Sequence, residues 1–305
     1  MKQNMNFKSK TNVLAAFLYL PTNFDENKKY PAITVAHPGG GVKEQAASTY
    51  AEKLSELGFV TLAYDASHQG ESEGDPKYQE DPYARTEDVR ASVDYLTTLN
   101  YVDVDNIGAL GICAGGGYSV AAAQTERRIK ALATVSMVDI GSLFREGVDR
   151  IVPVEQQIEL LEQVSNQRTE EAQGGEVSFT TYVPDEIDDS MPIRSTMAEG
   201  HEYYVTDRGR HENAPNRFTL NSFSEIATFS AFSHINQLLT HPFLSIAGSD
   251  ADTRYFSEEA VEQAASKNKE LFIIDGATHV GLYDIPEYVE PAVEKLHSFF
   301  SKYIK

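Results

Sequence analysis

Ile107-Gly108-Ala109-Leu110-Gly111-Ile112-Cys113-Ala114-Gly115-Gly116-Gly117 is the stretch on which the fold turns. An apolar, strand-like run enters Gly-x-Cys-x-Gly, and Tyr118-Ser119-Val120-Ala121-Ala122-Ala123 then reads as the opening of a helix. This is the strand–turn–helix pattern of a nucleophile elbow, with cysteine where serine usually stands. A side chain thrust out at so sharp a turn sits on strained backbone, so its neighbours must be small. The helix N-terminus behind it favours a thiolate and offers a backbone N–H to a developing oxyanion. Taken alone, Cys113 could equally be a small inert core residue, and the surrounding chain has to decide.

Outward from this stretch, short apolar runs alternate with helical patterns, which predicts βαβ units and a mostly parallel sheet. Strands are expected at Ala32–Ala36, Phe59–Tyr64, Ile107–Leu110 and Ile129–Val135. A helix over Lys43–Leu57 gathers Ala46, Ala47, Tyr50, Leu54 and Leu57 on one face, with Gly58 placed as a left-handed cap. A second over Ala84–Leu99 does so with Val89, Val93, Leu96 and Leu99. From Asp139 to Asn236 the chain turns polar and Glu/Gln-rich, with one clear helix near Val154–Val164 and no strong period over Gln167–Arg217. Alternation resumes with Phe243–Ala247, a helix from about Ser257 to Ser266, Leu271–Ile274, and an amphipathic helix over Pro286–Tyr303. The reading is one α/β core, residues 1–138 and 237–305, interrupted by a helical insertion over 139–236.

Composition narrows the function. Among 305 residues, 26 Lys and Arg face 46 Asp and Glu, a formal charge of −20 that repels nucleic acids and anionic membrane surfaces. With 41% hydrophobic residues the chain builds a core. One cysteine excludes an intrachain disulfide and a Cys-rich metal site. The apolar run Val13–Leu20 follows Lys8 and Lys10, but it is too short to span a bilayer. No small-x-small cleavage site follows it, so a cytoplasmic location is expected.

An acyl-transfer site needs a second oxyanion donor, and the strand Ile33–Ala36 runs through His37-Pro38 into Gly39-Gly40-Gly41. Backbone N–H groups of Gly39 or Gly40, with that of Ala114, are the candidates. Phosphate-loop spacings are absent there. His279 stands in a small-residue loop just beyond the last strand and is the candidate base. His37, His68, His201, His211, His234, His241 and His297 read as surface or structural, His37 as structural beside the glycine loop. No pair of them has the i, i+4 spacing of a helical zinc site, so neither a metal nor a cofactor is expected. Past Phe243–Gly248, the turn Ser249-Asp250-Ala251-Asp252 supplies two candidate acids.

Together these segments resemble an α/β-hydrolase with a cysteine elbow. The chain is similar to dienelactone-hydrolase-like proteins, and closer to X-prolyl-dipeptidyl-peptidase-like hydrolases, a group that includes proteins similar to polyketide thiohydrolases. The resemblance rests on His37–Gln45, Tyr64–Gly74, Leu110–Tyr118 and Gly276–Asp284. It implies an α/β-hydrolase fold and hydrolysis of an ester, thioester or lactone by a Cys113–His279–Asp triad, in the chain order nucleophile, acid, base. It also implies that 139–236 is a cap over the site. In such folds the acid often lies three residues past the strand-ending glycine, which here falls on Ala251, between Asp250 and Asp252. Asp252 is preferred, because Ser257 then caps the next helix with Glu258 and Glu259 in its first turn. The Asp65–Gly74 loop reads only as a locally bonded turn. A small acyl substrate is the expected partner, with homo-oligomerisation left open. Acyl transfer from the same acyl-enzyme, or ligand binding without catalysis, are the alternatives.

Overall fold

The apolar run Val13–Leu20 belongs to a hairpin that the sequence pattern showed only in part. β1 (Lys2–Ser9) pairs antiparallel with β2 (Asn12–Tyr19), setting Phe7 opposite Leu14. Then come β3 (Tyr30–Ala36), α1 (Ser48–Glu56), β4 (Val60–Tyr64), α2 (Pro82–Thr97), β5 (Val102–Ile112), α3 (Ala114–Ala123) and β6 (Ile129–Val135). Residues 139–236 carry α4 (Ile140–Glu146), α5 (Val154–Ala172), β7 (Phe179–Thr180), α6 (Thr196–Val205), β8 (Phe218–Thr219), α7 (Phe223–Ile226) and the start of α8 (Ile235–Leu238). β9 (Phe243–Gly248), α9 (Arg254–Gln263), β10 (Lys269–Ile274), α10 (Gly281–Asp284) and α11 (Pro286–Tyr303) close the chain. This computed structural model describes residues 1–188 and 191–305; positions 189 and 190 of the insertion lie outside the described residues.

Eight strands form the main sheet in the order β1-β2-β4-β3-β5-β6-β9-β10. β1, β2 and β4 pair antiparallel; from β4 to β10 every pairing is parallel. Side chains alternate across the sheet, so each inner strand feeds two cores. Ile33 and Val35 join Tyr50 and Leu54 of α1 and Leu296 and Phe300 of α11 on one face. Ala32 and Ala36 join Val89, Val93 and Leu96 of α2 and Val120 of α3 on the other. The mostly parallel sheet flanked by helices is therefore the architecture the alternating pattern called for.

Three local expectations need correction. The helix expected from Lys43 begins as a π-helical turn, Lys43–Ala47, with Gln45 outside helical geometry (φ −91°, ψ −138°), and regular α-helix starts only at Ser48. Lys43 explains the turn. It is buried, and its Nζ lies 2.7 Å from Glu44, 2.8 Å from Asp65 and 2.7 Å from Glu71, so this segment is fitted around an ion cluster. Helix α9 starts at Arg254, not near Ser257, with Thr253 before its first turn. Finally, α5 runs to Ala172, and its apolar stripe is only half used, because Val154 and Ile158 stay exposed while Val164 is buried. Other details follow the pattern closely: Gly58 closes α1 with φ +104°, and α11 spans Pro286–Tyr303. The Asp65–Gly74 loop is bonded locally, with Ser72 Oγ on the Asp65 carbonyl at 2.7 Å, but also to distant chain, since the Asp65 carboxylate accepts from Lys43 and Ser72 Oγ accepts from the Ala15 N–H at 2.8 Å. No helix among the described residues is long and apolar enough to cross a membrane.

Candidate active site

Strand β5 delivers Cys113 at its end, and the residue adopts φ +54°, ψ −123°, a conformation that costs a non-glycine residue about 1–3 kcal/mol. Neighbouring structure holds it there. Cys113 N–H donates to Val135 O at 3.0 Å, while Cys113 O accepts from Gly116 at 2.9 Å and Val138 at 3.1 Å. The glycines answer a demand for space. A Cβ on Gly111 would sit 2.3 Å from the Gly115 carbonyl oxygen, and one on Gly115 2.4 Å from that of Ala36. The elbow closes only because those positions carry no side chain.

His279 follows β10 on a loop whose carbonyl is tethered by Ser136 Oγ at 2.9 Å. The residue is 1% exposed and lines the same cavity as Cys113. Nε2 lies 3.0 Å from the hydroxyl of Tyr283, which lines the same cavity as Cys113. Burial by itself would raise the Cys113 thiol. The facing His279 charge, hydrogen bonds from His279 and Tyr283, and the Ala114 N–H outweigh it and bring the thiol below its ordinary value. Burial would likewise lower His279, but Cys113 and, more weakly, Asp252 and Glu199 raise it. Both shifts favour a thiolate–imidazolium pair.

The two candidate acids do not meet the imidazole. Among the described residues, no hydrogen bond joins Asp250 or Asp252 to His279; Nδ1 instead meets Thr253 Oγ1 at 2.5 Å. Both aspartates are engaged by the insertion. Asp252 accepts from the Thr196 backbone N–H at 2.9 Å and from its hydroxyl. Asp250, partly exposed, pairs with Arg194 at 2.7 Å. Asp252 is near enough to raise His279 through its charge. The cause is the early start of α9, which turns Thr253 inward and removes the basis for Ser257 as the helix cap: Ser257 lies inside the helix.

The glycine loop lies beside Ala114. A Cβ on Gly39 would lie 3.5 Å from that of Ala114, and Gly39 borders the cavity above Cys113, while Gly40 (φ +69°) lies beneath the Tyr182 ring. His37 is structural: Nδ1 is 2.7 Å from the Pro38 carbonyl, and Nε2 accepts from the Ala66 N–H at 3.1 Å.

Cys113 and His279 open into a half-enclosed cavity of about 350 Å³, walled by Leu143, Phe144, Val183, Met197, Tyr204 and Tyr283 among others. A larger hollow of about 670 Å³ lies on the far side of Tyr204, lined by Asp185, Arg210, His211 and Glu212. Cys113 and His279 line the smaller cavity and not this hollow. Sequence reasoning missed Thr253, Tyr283, Tyr182 and Tyr204. Only Tyr283 carried a local signal, four residues beyond His279 and so on the same side of a helical turn. Among the described residues, Glu44, Asp65 and Glu71 are the carboxylates close enough together to hold a cation, and the Lys43 ammonium already lies among them.

Comparison with known proteins identifies the family and the fold. The model of the dienelactone hydrolase family matches residues 14–137. A protein of Escherichia coli K12, the uncharacterized protein YcjY, is 45% identical over 297 residues, covering 97% of this chain and 96% of that one. The crystal structure of the hypothetical protein PA2218 from Pseudomonas aeruginosa superposes with a TM-score of 0.93 at 34% identity, over 100% of this chain and 94% of that one. The α/β-hydrolase GrgF from a Penicillium species superposes with a TM-score of 0.83, over 100% of this chain and 99% of that one. Its identity is 19%, so that likeness speaks for the fold alone.

Proposed function

This chain belongs to the α/β-hydrolase superfamily, with a dienelactone-hydrolase-like fold, and from that premise we propose that it cleaves an ester, thioester or lactone through a covalent acyl-enzyme on Cys113. The observation that carries the reading is the half-buried Cys113 thiol at a strained elbow, sharing the wall of one apolar cavity with a buried His279.

In the proposed reaction His279 holds the Cys113 proton, and the thiolate attacks the substrate carbonyl carbon to form a C–S bond. The carbonyl electron pair moves to oxygen, where backbone N–H groups of Ala114 and of Gly39 or Gly40 receive it. Each such donor is worth about 3–4 kcal/mol in a water-poor site. Collapse expels the alkoxide or thiolate leaving group, which takes the proton from His279. Neutral His279 then deprotonates a water, the hydroxide adds to the thioester, and the carboxylic acid leaves as Cys113 is regenerated. Asp252 favours the imidazolium by its charge, and Thr253 orients the ring. A thiolate attacks well near neutral pH but is also readily expelled, which favours activated acyl groups over amides.

The 139–236 segment acts in this reading as a cap that selects the acyl group. It supplies Tyr182, Val183, Met197 and Tyr204 to the cavity wall, so an uncharged, apolar acyl group is the preferred occupant. The test is a panel of thioesters, lactones and short-chain aryl esters, assayed against wild type and Cys113→Ala, with products analysed in the presence and absence of alcohol acceptors. Hydrolysis is expected to vanish in the variant, and iodoacetamide to inactivate wild type in step with labelling of a single thiol. Undiminished turnover by Cys113→Ala refutes the proposal. Acceptor esters as the main product would reassign the enzyme to acyl transfer.

A further inference from the structure

A fully buried carboxylate ties the insertion to the glycine loop. Glu80 is 0% exposed, and its Oε2 accepts from the Tyr182 hydroxyl at 2.6 Å. Oε1 accepts from Tyr118 at 2.5 Å, a residue of α3, the helix that starts at the elbow. Arg85, itself buried, pairs with Glu80 at 3.2 Å. Its other terminal nitrogen donates to the His37 carbonyl at 2.8 Å, just before the glycine loop. The Tyr182 ring completes the circuit from above. A Cβ on Gly40 would come within 2.6 Å of that ring, and one on Gly39 within 3.4 Å.

We infer that Tyr182 is a positioning residue: seated on Glu80, it presses the Gly39–Gly40 loop into the shape that receives the oxyanion. The claim rests on the acyl-enzyme reading above and deepens it. A buried carboxylate that loses one of its donors is costly, so the Tyr182–Glu80 bond strongly prefers to form. Burial, with Glu80 beside it, keeps the Tyr182 phenol protonated far above neutral pH, so it remains the donor. Ring and hydroxyl are then held together, and the loop beneath has one conformation open to it. Because Tyr182 comes from the insertion and Glu80 from the core, seating of the cap and readiness of the oxyanion loop become one event.

The test compares wild type with Tyr182→Phe, which keeps the ring and removes the hydroxyl, and Tyr182→Leu, which removes both. Three quantities are read on an activated thioester: kcat, KM, and the iodoacetamide alkylation rate of Cys113. Alkylation needs the thiolate but no oxyanion donor. Tyr182→Phe should lower kcat about tenfold and Tyr182→Leu about a hundredfold. In Tyr182→Phe, which leaves the ring in the cavity wall, KM should stay within about twofold, and in both variants alkylation should match wild type. Unchanged kcat in Tyr182→Phe overturns the inference. So does a rise in KM alone in Tyr182→Phe, which would leave Tyr182 as part of the cavity wall and nothing more, and so does a parallel loss of alkylation, which would make it a general structural support. Cys113→Ala run alongside separates the two levels. Turnover that survives in it sinks the acyl-enzyme reading and this inference with it; turnover lost there but kept in Tyr182→Phe sinks only the inference.

Discussion

Replacing Thr253 by valine changes almost nothing but one hydroxyl, and that hydroxyl is the group on His279 Nδ1. Threonine and valine have nearly the same shape, and Thr253 is 2% exposed, so the variant leaves a buried ring nitrogen without its partner. Such an orphaned group costs about 1–3 kcal/mol. The cost falls most heavily where the ring is charged, which is the thiolate–imidazolium pair and the attack that follows. With tenfold per 1.4 kcal/mol, kcat should drop about 5- to 150-fold. Asp252→Asn is the necessary comparison. Loss of a triad acid bonded directly to its histidine costs about 10⁴ in kcat. Here the Asp252 carboxylate is bonded to Thr196 and reaches His279 only through its charge, so about tenfold is expected. The assay is kcat on an activated thioester for both variants, with thermal unfolding to verify folding. A wild-type-like Thr253→Val together with an Asp252→Asn crippled by about 10⁴ would refute the reasoning. It would mean that the carboxylate displaces Thr253 once substrate binds.

Two further outcomes follow from groups around the site and beneath it. Tyr283→Phe removes a hydroxyl that helps hold the Cys113 thiol below its ordinary value, so the thiol should ionise less readily and the iodoacetamide rate profile should move toward higher pH; superimposable profiles would show that Tyr283 does not serve the thiolate. His241 is buried, and burial, with Arg127 and Lys130 nearby, lowers its pKa to about 4. Between pH 6.5 and 4 the unfolded chain therefore binds the extra proton, and stability from this residue is lost as pH falls through that window. His241→Leu should flatten that part of the stability curve measured by urea unfolding, and an unchanged slope would assign the acid sensitivity elsewhere.

How much of this was legible in advance depended on how far apart the interacting residues lie. The elbow is a local object: strand, sharp turn and helix all fall within Ile107–Ala123, and the glycines are needed by neighbours a few positions away. The inner strands were readable because a strand buried on both faces must be apolar throughout, and α11 because its stripe repeats at helical spacing. The β1–β2 hairpin was harder to see. Its outer strand is polar and mostly exposed, so only Val13–Leu20 announced it. The turn after β9 misled in a different way. Asp250 and Asp252 have the right chemistry in the right place, but the insertion binds both, Arg194 taking one and Thr196 the other.

The sequence by itself determined the α/β architecture, the nucleophile and base candidates, and the order in which they occur, because backbone periodicity and turn chemistry act over a few residues. Only the tertiary structure decided what surrounds them. Thr253 reaches His279 across 26 positions, and Tyr182 reaches Glu80 across 102. Such pairs leave no periodic trace, since packing alone brings them together. Burial then makes their hydrogen bonds matter, because a polar group shut away from water must be answered by whichever residue the fold has placed beside it.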